Sequence, residues 1–138
     1  MKHYTTVRQS RKLVRLGLDP NTADMAYLKF ASSDNLTPRF EGAAPMVLMD
    51  IPINEIDCET LPCWSLGALL KMIPLPVLFM EITGGCVTWV CEAHKLDGKI
   101  IHAKVGINAI EAVYDTIIWL LENSYLKNNE TLYNNRTK

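Results

Sequence analysis

The sequence has few of the features that mark membrane, secreted or disulfide-stabilised proteins. No uncharged run approaches the roughly 20 apolar residues that a membrane-spanning helix needs, and the uncharged segment 72–80 is interrupted by Pro74 and Pro76. The first six residues (MKHYTT) are not followed by the apolar stretch of a secretory signal. We therefore expect a soluble, cytoplasmic protein without a membrane partner.

Cysteine is too scarce for a disulfide scaffold, with four residues in a chain of 138. Cys58 with Cys63 and Cys86 with Cys91 form two Cys-x4-Cys pairs, which together with three histidines raise the question of zinc. Zinc knuckles usually also contain glycines near the ligands, and we expect Cys86 and Cys91 to face opposite sides of one strand. We interpret the cysteines as thiols and expect no metal or cofactor.

Two segments each carry charges of only one sign, although the formal net charge of the chain is only −1. Residues 1–18 contain basic side chains and no acid, whereas residues 50–59 contain acids and no base. The basic residues are Lys2, Arg8, Arg11, Lys12 and Arg15, and the acidic residues are Asp50, Glu55, Asp57 and Glu59. The two segments could pair with each other.

What the chain does contain is an ordinary globular mixture, with 49% apolar and 21% charged residues. Its length corresponds to about one domain, and its last twelve residues are polar and rich in asparagine. We predict a single α+β domain over residues 1–126 and a disordered polar tail over residues 127–138.

The first predicted helix is amphipathic and has a basic outer face. Thr6 to Gln9 matches a capping box and Gly17 suits a helix end, which predicts a helix over residues 7–16. At about 100° per residue, four basic side chains share one side of this helix. They are Arg8, Arg11, Lys12 and Arg15. Such a face is a minimal footprint for binding phosphates, whereas a solvated face is the simpler interpretation.

The segment after this helix gives weaker signals. Asn21 or Thr22 could cap a single helical turn that ends at Met25. Residues 31–45 lack apolar periodicity and predict a long loop. Residues 46–51 could form a short strand that Pro52 closes.

Two further helices are indicated by their caps. Ser65 is expected to cap a short helix over residues 66–73, and Asn108 to Glu111 is a second capping-box pattern, opening a helix that runs to about Tyr125. The last helix has an apolar stripe opposite a polar side that also carries Trp119. The stripe comprises Ile110, Val113, Tyr114, Ile117, Ile118, Leu120 and Leu121.

Two β-prone runs, 77–83 and 86–93, are separated by Gly84-Gly85, which predicts a hairpin. Pairing Thr83 with Cys86 gives the cross-strand pairs Ile82–Val87, Met80–Trp89 and Leu78–Cys91.

A second turn follows near Leu96-Asp97-Gly98, and its length decides the faces of the third strand, because a shift of one residue inverts every side chain. A two-residue loop would place His102 beside Ala93. A three-residue loop with Gly98 in the left-handed region instead aligns Ile101 with Ala93, and we expect it because it keeps one face apolar. It also aligns Ala103 with Cys91 and Val105 with Trp89.

The predicted fold is therefore an antiparallel three-stranded β-meander, with room for a fourth short strand, packed against the C-terminal helix. An N-terminal helix and a short central helix complete it. The outer sheet face would carry the apolar residues Val77, Phe79, Val90 and Ile100 among Glu81, Thr88, Glu92, His102 and Lys104. Either residues 20–60 cover this face or it binds a partner, and the same alternatives apply to Trp119.

His102 would lie opposite Glu92 on that face, where a histidine beside a carboxylate can act as an acid or base. A surface cross-strand pair is the simpler interpretation. No nucleophile, base and orienting group form a recognisable catalytic pattern, so we expect no enzyme activity.

Three stretches of the sequence stand out: SRKLV with LGLDPNTADM (residues 10–14 and 16–25), LPCWSLGALL (61–70) and AIEA with WLLEN (109–112 and 119–123). Together they resemble a family of small proteins carried by gut anaerobes and their phages or other mobile elements. The resemblance covers most of residues 5–126 and implies no assigned activity or catalytic residue. The order of elements after Ser65 also matches the double-stranded RNA-binding domain, but the acidic start of the last helix departs from that domain's phosphate-binding lysines.

These observations favour a non-enzymatic accessory or interaction protein of phage or mobile-element origin. Its partner would be an unknown protein or a second copy, and its candidate interaction surface comprises Phe79, Val90, Ile100 and Trp119. The alternative is a nucleic-acid-binding module that uses the basic helix face.

Overall fold

The protein is an α+β structure with three helices and two antiparallel three-stranded sheets, as expected for its fold class. The computed structural model describes residues 3–29, 44–56 and 59–126, so the predicted tail lies outside the described residues. The elements are α1 (Val7–Arg15), β1 (Met25–Leu28), β2 (Met46–Val47), β3 (Thr60–Cys63), α2 (Leu66–Met72), β4 (Val77–Thr83), β5 (Cys86–His94), β6 (Ile100–Gly106) and α3 (Ala109–Glu122).

Helix α1 begins at the predicted capping box and is closed by the predicted glycine. The Gln9 N–H donates to Thr6 Oγ1 (3.1 Å) and the Thr6 N–H donates to Gln9 Oε1 (2.9 Å), so the capping box is complete. At the other end Gly17 has φ +97°, and the Leu18 N–H donates to the carbonyl of Leu13 (3.0 Å). This Schellman motif ends the helix at Arg15, one residue before the predicted end.

The N-terminal segment holds α1 against the strand and turn that precede α2. The Trp64 N–H donates to Thr5 Oγ1 (3.1 Å), and the Thr5 and Ser10 hydroxyl oxygens lie 2.8 Å apart. Trp64 is fully buried, and its indole N–H donates to Thr22 Oγ1 (2.9 Å). Thr5, which precedes α1, is therefore part of the core.

The smaller sheet, in the order β2-β1-β3, was not predicted. Met25 starts strand β1 instead of ending a helical turn, and the turn before it is the 3-10 helix Pro20–Thr22, which Asp19 caps. Strand β1 pairs with β3, which contains Pro62. A proline argues against a strand in sequence analysis, but β3 is an edge strand, where proline is tolerated.

The predicted strand over residues 46–51 is correct only for Met46–Val47. It stops there because Met49 and Asp50 both have positive φ (48° and 69°) and turn the chain. Most of the predicted loop, residues 31–43, lies outside the described residues.

The larger sheet, β4-β5-β6, confirms the first predicted hairpin. Gly84 and Gly85 both have positive φ (58° and 80°), which a two-residue type I′ turn requires. The predicted pairs are all present: Thr83–Cys86, Ile82–Val87, Met80–Trp89 and Leu78–Cys91.

The register predicted for β6 is wrong beyond its first residue. The turn forms as expected, since Gly98 has φ +90° and the Lys95 N–H donates to the carbonyl of Lys99 (2.8 Å). His94 then pairs with Ile100, but the register shifts at this point and leaves Ile101 as the extra residue of a β-bulge. The remaining pairs are those of the rejected alternative: Ala93–His102, Glu92–Ala103, Cys91–Lys104, Val90–Val105 and Trp89–Gly106.

Gly106 gives the physical reason for this register. A Cβ at Gly106 would lie 2.6 Å from the backbone nitrogen of Ala112, because the start of α3 passes directly over this position. The predicted register would have put Val105 opposite Trp89, where the structure needs a glycine. The bulge moves Val105 to the other face.

Helix α3 covers one face of the larger sheet and forms most of the main core. Asn108 caps it, its Oδ1 accepting from the Glu111 N–H (2.9 Å), and α3 packs on β5, β6 and α2. All seven residues of its predicted apolar stripe are buried. The helix ends at Glu122, earlier than predicted, because Ser124 adopts φ +64°. No helix among the described residues is long and apolar enough to cross a membrane.

Candidate interaction surfaces

One face of the larger sheet packs under α3, and we call the opposite side the open sheet face. Alternation along the paired strands assigns its residues. They are Val77, Phe79, Glu81, Thr83, Cys86, Thr88, Val90, Glu92, His94, Ile100, Ala103 and Val105. Of the predicted interaction residues, Phe79, Val90 and Ile100 lie on it.

An apolar stripe crosses the centre of this face. Phe79 pairs with Val90 on the neighbouring strand, and Val90 pairs with Val105 on the next. Val90 is 6% exposed, Phe79 is half-buried and Val105 is 59% exposed. The stripe therefore presents its apolar surface mainly on the two outer strands, β4 and β6.

The open sheet face is more apolar than the sequence predicted. His102 and Lys104 were expected there, but the bulge turns both toward α3 and places Ala103 and Val105 outward. Sequence analysis missed these last two residues. The signal that could have found them is Gly106, which permits a helix backbone to pass close to the covered face.

Trp119 does not join this surface. It is half-buried, and its ring stacks on His102 with centroids 3.9 Å apart and on Tyr125 with centroids 5.6 Å apart. The predicted His102–Glu92 pair is also absent, because His102 faces α3 and pairs with Ala93. Burial, with a smaller effect from Lys104, lowers the pKa of His102 and favours its neutral form.

The charged side chains of the open sheet face are carboxylates. Glu92 and Glu81 lie on it, and neither lysine nor arginine does. Glu92 Oε1 lies 3.3 Å from His94 Nε2, and both side chains are mostly buried. Glu81 is exposed.

The basic face of α1 forms as predicted. Arg8, Arg11, Lys12 and Arg15 line a shallow groove of about 470 Å³ together with Val7, and no carboxylate lines it among the described residues. The three arginine side chains are exposed and Lys12 is half-buried.

Acids on α3 approach this basic face. Gln9 Nε2 donates to Glu111 Oε1 (3.1 Å), which ties α1 to the start of α3. Burial raises the pKa of Tyr114, the charges of Asp115 and Glu111 raise it further, and those of Arg15 and Arg8 lower it. Basic and acidic side chains therefore surround the same tyrosine, and the positive potential of α1 is partly neutralised.

The predicted pairing of residues 1–18 with residues 50–59 lies partly outside the described residues, which exclude Asp57. Glu59 instead pairs with Lys29, with its Oε2 lying 3.3 Å from Lys29 Nζ.

The described cysteines are free thiols that face different environments. Burial raises the pKa of Cys63 to about 11 and also raises the pKa of Cys91, whereas Cys86 is exposed. Cys86 and Cys91 do lie on opposite faces of β5. Cys58 lies outside the described residues, and within them no group of three or more His, Cys, Asp or Glu side chains could hold a metal ion.

No protein-family model, curated protein or solved structure matches this chain. The family resemblance noted in the sequence therefore stays a prediction, and the surfaces described above carry the functional inference.

Proposed function

We propose that this is a non-enzymatic interaction protein whose open sheet face packs against a second copy of the chain. The observation that carries the proposal is the apolar stripe of Phe79, Val90 and Val105, which lies opposite the face that α3 covers. A contiguous apolar patch on a protein surface commonly marks an interaction site.

A symmetric dimer uses the same patch on both molecules, so the patch must complement itself. The stripe meets this condition because it is uncharged and runs across the full width of the sheet. Val77 and Ile100 (43% and 54% exposed) extend it.

The size of the face indicates a weak dimer. Three strands spaced about 4.8 Å apart, each about seven residues long at about 3.3 Å per residue, give a projected area of roughly 300 Å². A stable interface buries about 800 Å² per partner. We therefore expect association in the micromolar range or weaker.

Charge gives this dimer a characteristic salt dependence. Each copy contributes the exposed carboxylate of Glu81 and, among the described residues of this face, no lysine or arginine, so like charges approach when two copies meet. Salt screens this repulsion. The dimer is therefore expected to strengthen as salt rises.

The non-enzymatic part of the proposal is supported by the state of the reactive groups. The raised pKa values of Cys63 and Cys91 keep both thiols protonated and therefore poor nucleophiles. His94 is held by the carbonyl of Leu75 (3.1 Å) and by Glu92. We also propose a cytoplasmic location, supported by the free thiols, and an origin in a phage or mobile element, supported by the sequence resemblance alone.

Sedimentation velocity over a concentration series tests the dimer. Val105→Lys is expected to lower the association constant at least about tenfold, because two buried ammonium groups would meet apolar surface. Val87→Lys is the matched control, since Val87 is a similarly exposed valine (47%) on the α3-facing side of the same sheet. A wild-type chain that stays monomeric, or a dimer that survives Val105→Lys, rejects the proposal.

A second candidate function is binding to a nucleic-acid backbone through α1, because its groove is lined by four cationic side chains. If all four contacted phosphates, raising salt from about 50 to 200 mM would weaken binding to a DNA and RNA pool by about 100-fold. Arg8→Ala with Arg11→Ala would remove much of that dependence. Salt thus has opposite effects on the two candidate functions.

A further inference from the structure

A second apolar depression lies where three parts of the chain meet at one end of the molecule. It is bordered by the connection from α2 to β4, by the turn between β5 and β6, and by the residues that follow α3. We call it the terminal groove. Its volume is about 640 Å³, within the range of roughly 300 to 1,000 Å³ that is typical of small-molecule sites.

The walls of the terminal groove are apolar and mostly anchored in the core. Ile73 and Leu126 are almost fully buried (3% and 2% exposed), and Ile101, the extra residue of the β-bulge, lines the groove beside them. Leu96 and Tyr125 form the more exposed walls (96% and 46% exposed). The bulge therefore contributes a side chain to the groove as well as setting the register.

The lip of the groove is held in an unfavourable conformation. Leu75 has φ +41°, in the left-handed region that costs an ordinary residue roughly 1–2 kcal/mol, and its side chain is half exposed. His94 holds this segment in place: its ring Nδ1 lies 3.1 Å from the Leu75 carbonyl oxygen, and its backbone N–H donates to the Pro74 carbonyl (3.0 Å). Strain that exposes a leucine beside an apolar groove indicates a functional constraint.

The charge of the groove has one sign. Lys71 and Lys95 line it, and among the described residues no carboxylate does. Tyr125 adds a neutral hydroxyl group, and the ring of His94 already contacts the Leu75 carbonyl and Glu92. A ligand with an apolar body and a single negative group would complement both the walls and the lysines.

We propose that the terminal groove binds a small amphipathic anion, with its apolar body between Ile101 and Leu126 and its acid group toward Lys71 and Lys95. This site meets the open sheet face only at His94, which the proposed ligand contacts do not use, and it does not depend on the dimer. Its failure and that of the proposed function would therefore be distinguishable.

Isothermal calorimetry on the full chain tests the site with three probes that share a ten-carbon tail, each kept below its micellar concentration. The probes are decanoate, decanol and decyltrimethylammonium. Decanoate is expected to bind most tightly and decyltrimethylammonium least tightly. Equal affinity for decanoate and decanol, or no binding of decanoate, overturns the proposal.

A pair of lysine variants locates the acid group. Lys95→Gln is expected to weaken decanoate binding by about two- to fivefold, the value of a partly exposed ion pair, and to leave decanol binding unchanged. Lys99→Gln is the matched control, because Lys99 is an exposed lysine of the same turn that does not line the groove. Equal losses in the two variants would show that the lysines act only through net charge, which rejects the site.

A third variant tests the apolar wall. Leu96→Ser changes a side chain that is almost fully exposed, so folding should be unaffected. It is expected to weaken binding of decanoate and decanol by similar factors. Unchanged affinity for both probes would place them elsewhere on the protein and contradict the proposal.

Discussion

The two faces of the larger sheet differ in how closely a helix can approach them. Under α3 the residues at the closest approach are small, since Cys91 and Ala93 are fully buried and Gly106 lies against the helix backbone, while Leu78 and Trp89 pack beside them. On the open sheet face the central residues are larger, namely Phe79, Val90 and Val105. Small residues allow a helix to approach closely, whereas larger residues without a helix leave apolar surface for another molecule.

The largest loss of folding stability is expected where α3 approaches the covered face of the sheet most closely. Gly106→Ala places a Cβ 2.6 Å from the Ala112 nitrogen, and backbone cannot move aside cheaply. We expect a loss of about 2–4 kcal/mol in the free energy of unfolding, measured by urea denaturation.

Gly67→Ala is the control for this substitution. Gly67 lies in α2, where the nearest atom to an added Cβ is Ser65 Oγ at 3.8 Å, so alanine should be neutral or stabilise by up to about 1 kcal/mol. Equal stability of Gly106→Ala and Gly67→Ala would contradict the close packing of α3 on β6.

A second pair of variants compares the two faces directly. Ile117→Ala removes a fully buried side chain of α3 and is expected to cost about 3 kcal/mol. Val105→Ala on the open sheet face should change the stability of the monomer by less than about 0.5 kcal/mol, while weakening self-association. Urea unfolding at low protein concentration measures both, and a large loss for Val105→Ala would mean that the chain itself covers this face.

The smallest expected effect concerns His102, on the covered face. Its pKa is lowered in the folded state, so the unfolded chain binds the proton more readily and stability falls as pH decreases below the usual histidine pKa. His102→Gln should remove part of this acid dependence. Thermal unfolding between about pH 7 and pH 5 measures the difference; identical pH profiles for variant and wild type would contradict it.

Local signals allowed most of the larger sheet and all three helices to be predicted. Thr6, Ser65 and Asn108 each cap a helix through a side chain that bonds a backbone N–H three residues later. Gly84 and Gly85 fix the first hairpin. These features depend on neighbouring residues only, so they can be found without knowing the fold.

The missed features depend on distant contacts. Strand β1 is four residues long, and its partner β3 follows more than 30 residues later and contains Pro62, so neither gives a clear strand pattern. The register of β6 depends on α3, which follows it in the chain. The β6 residues of the open sheet face, Ala103 and Val105, therefore required the tertiary structure.

The β-bulge at Ile101 has a consequence for how this protein could change during evolution. His94–Ile100 and Ala93–His102 are already paired on either side of Ile101. Loss of that single codon would leave a regular hairpin in which every other side chain keeps its face. Natural selection could thus add or remove a wall of the terminal groove in one step while the strand pairing and the turn are inherited unchanged.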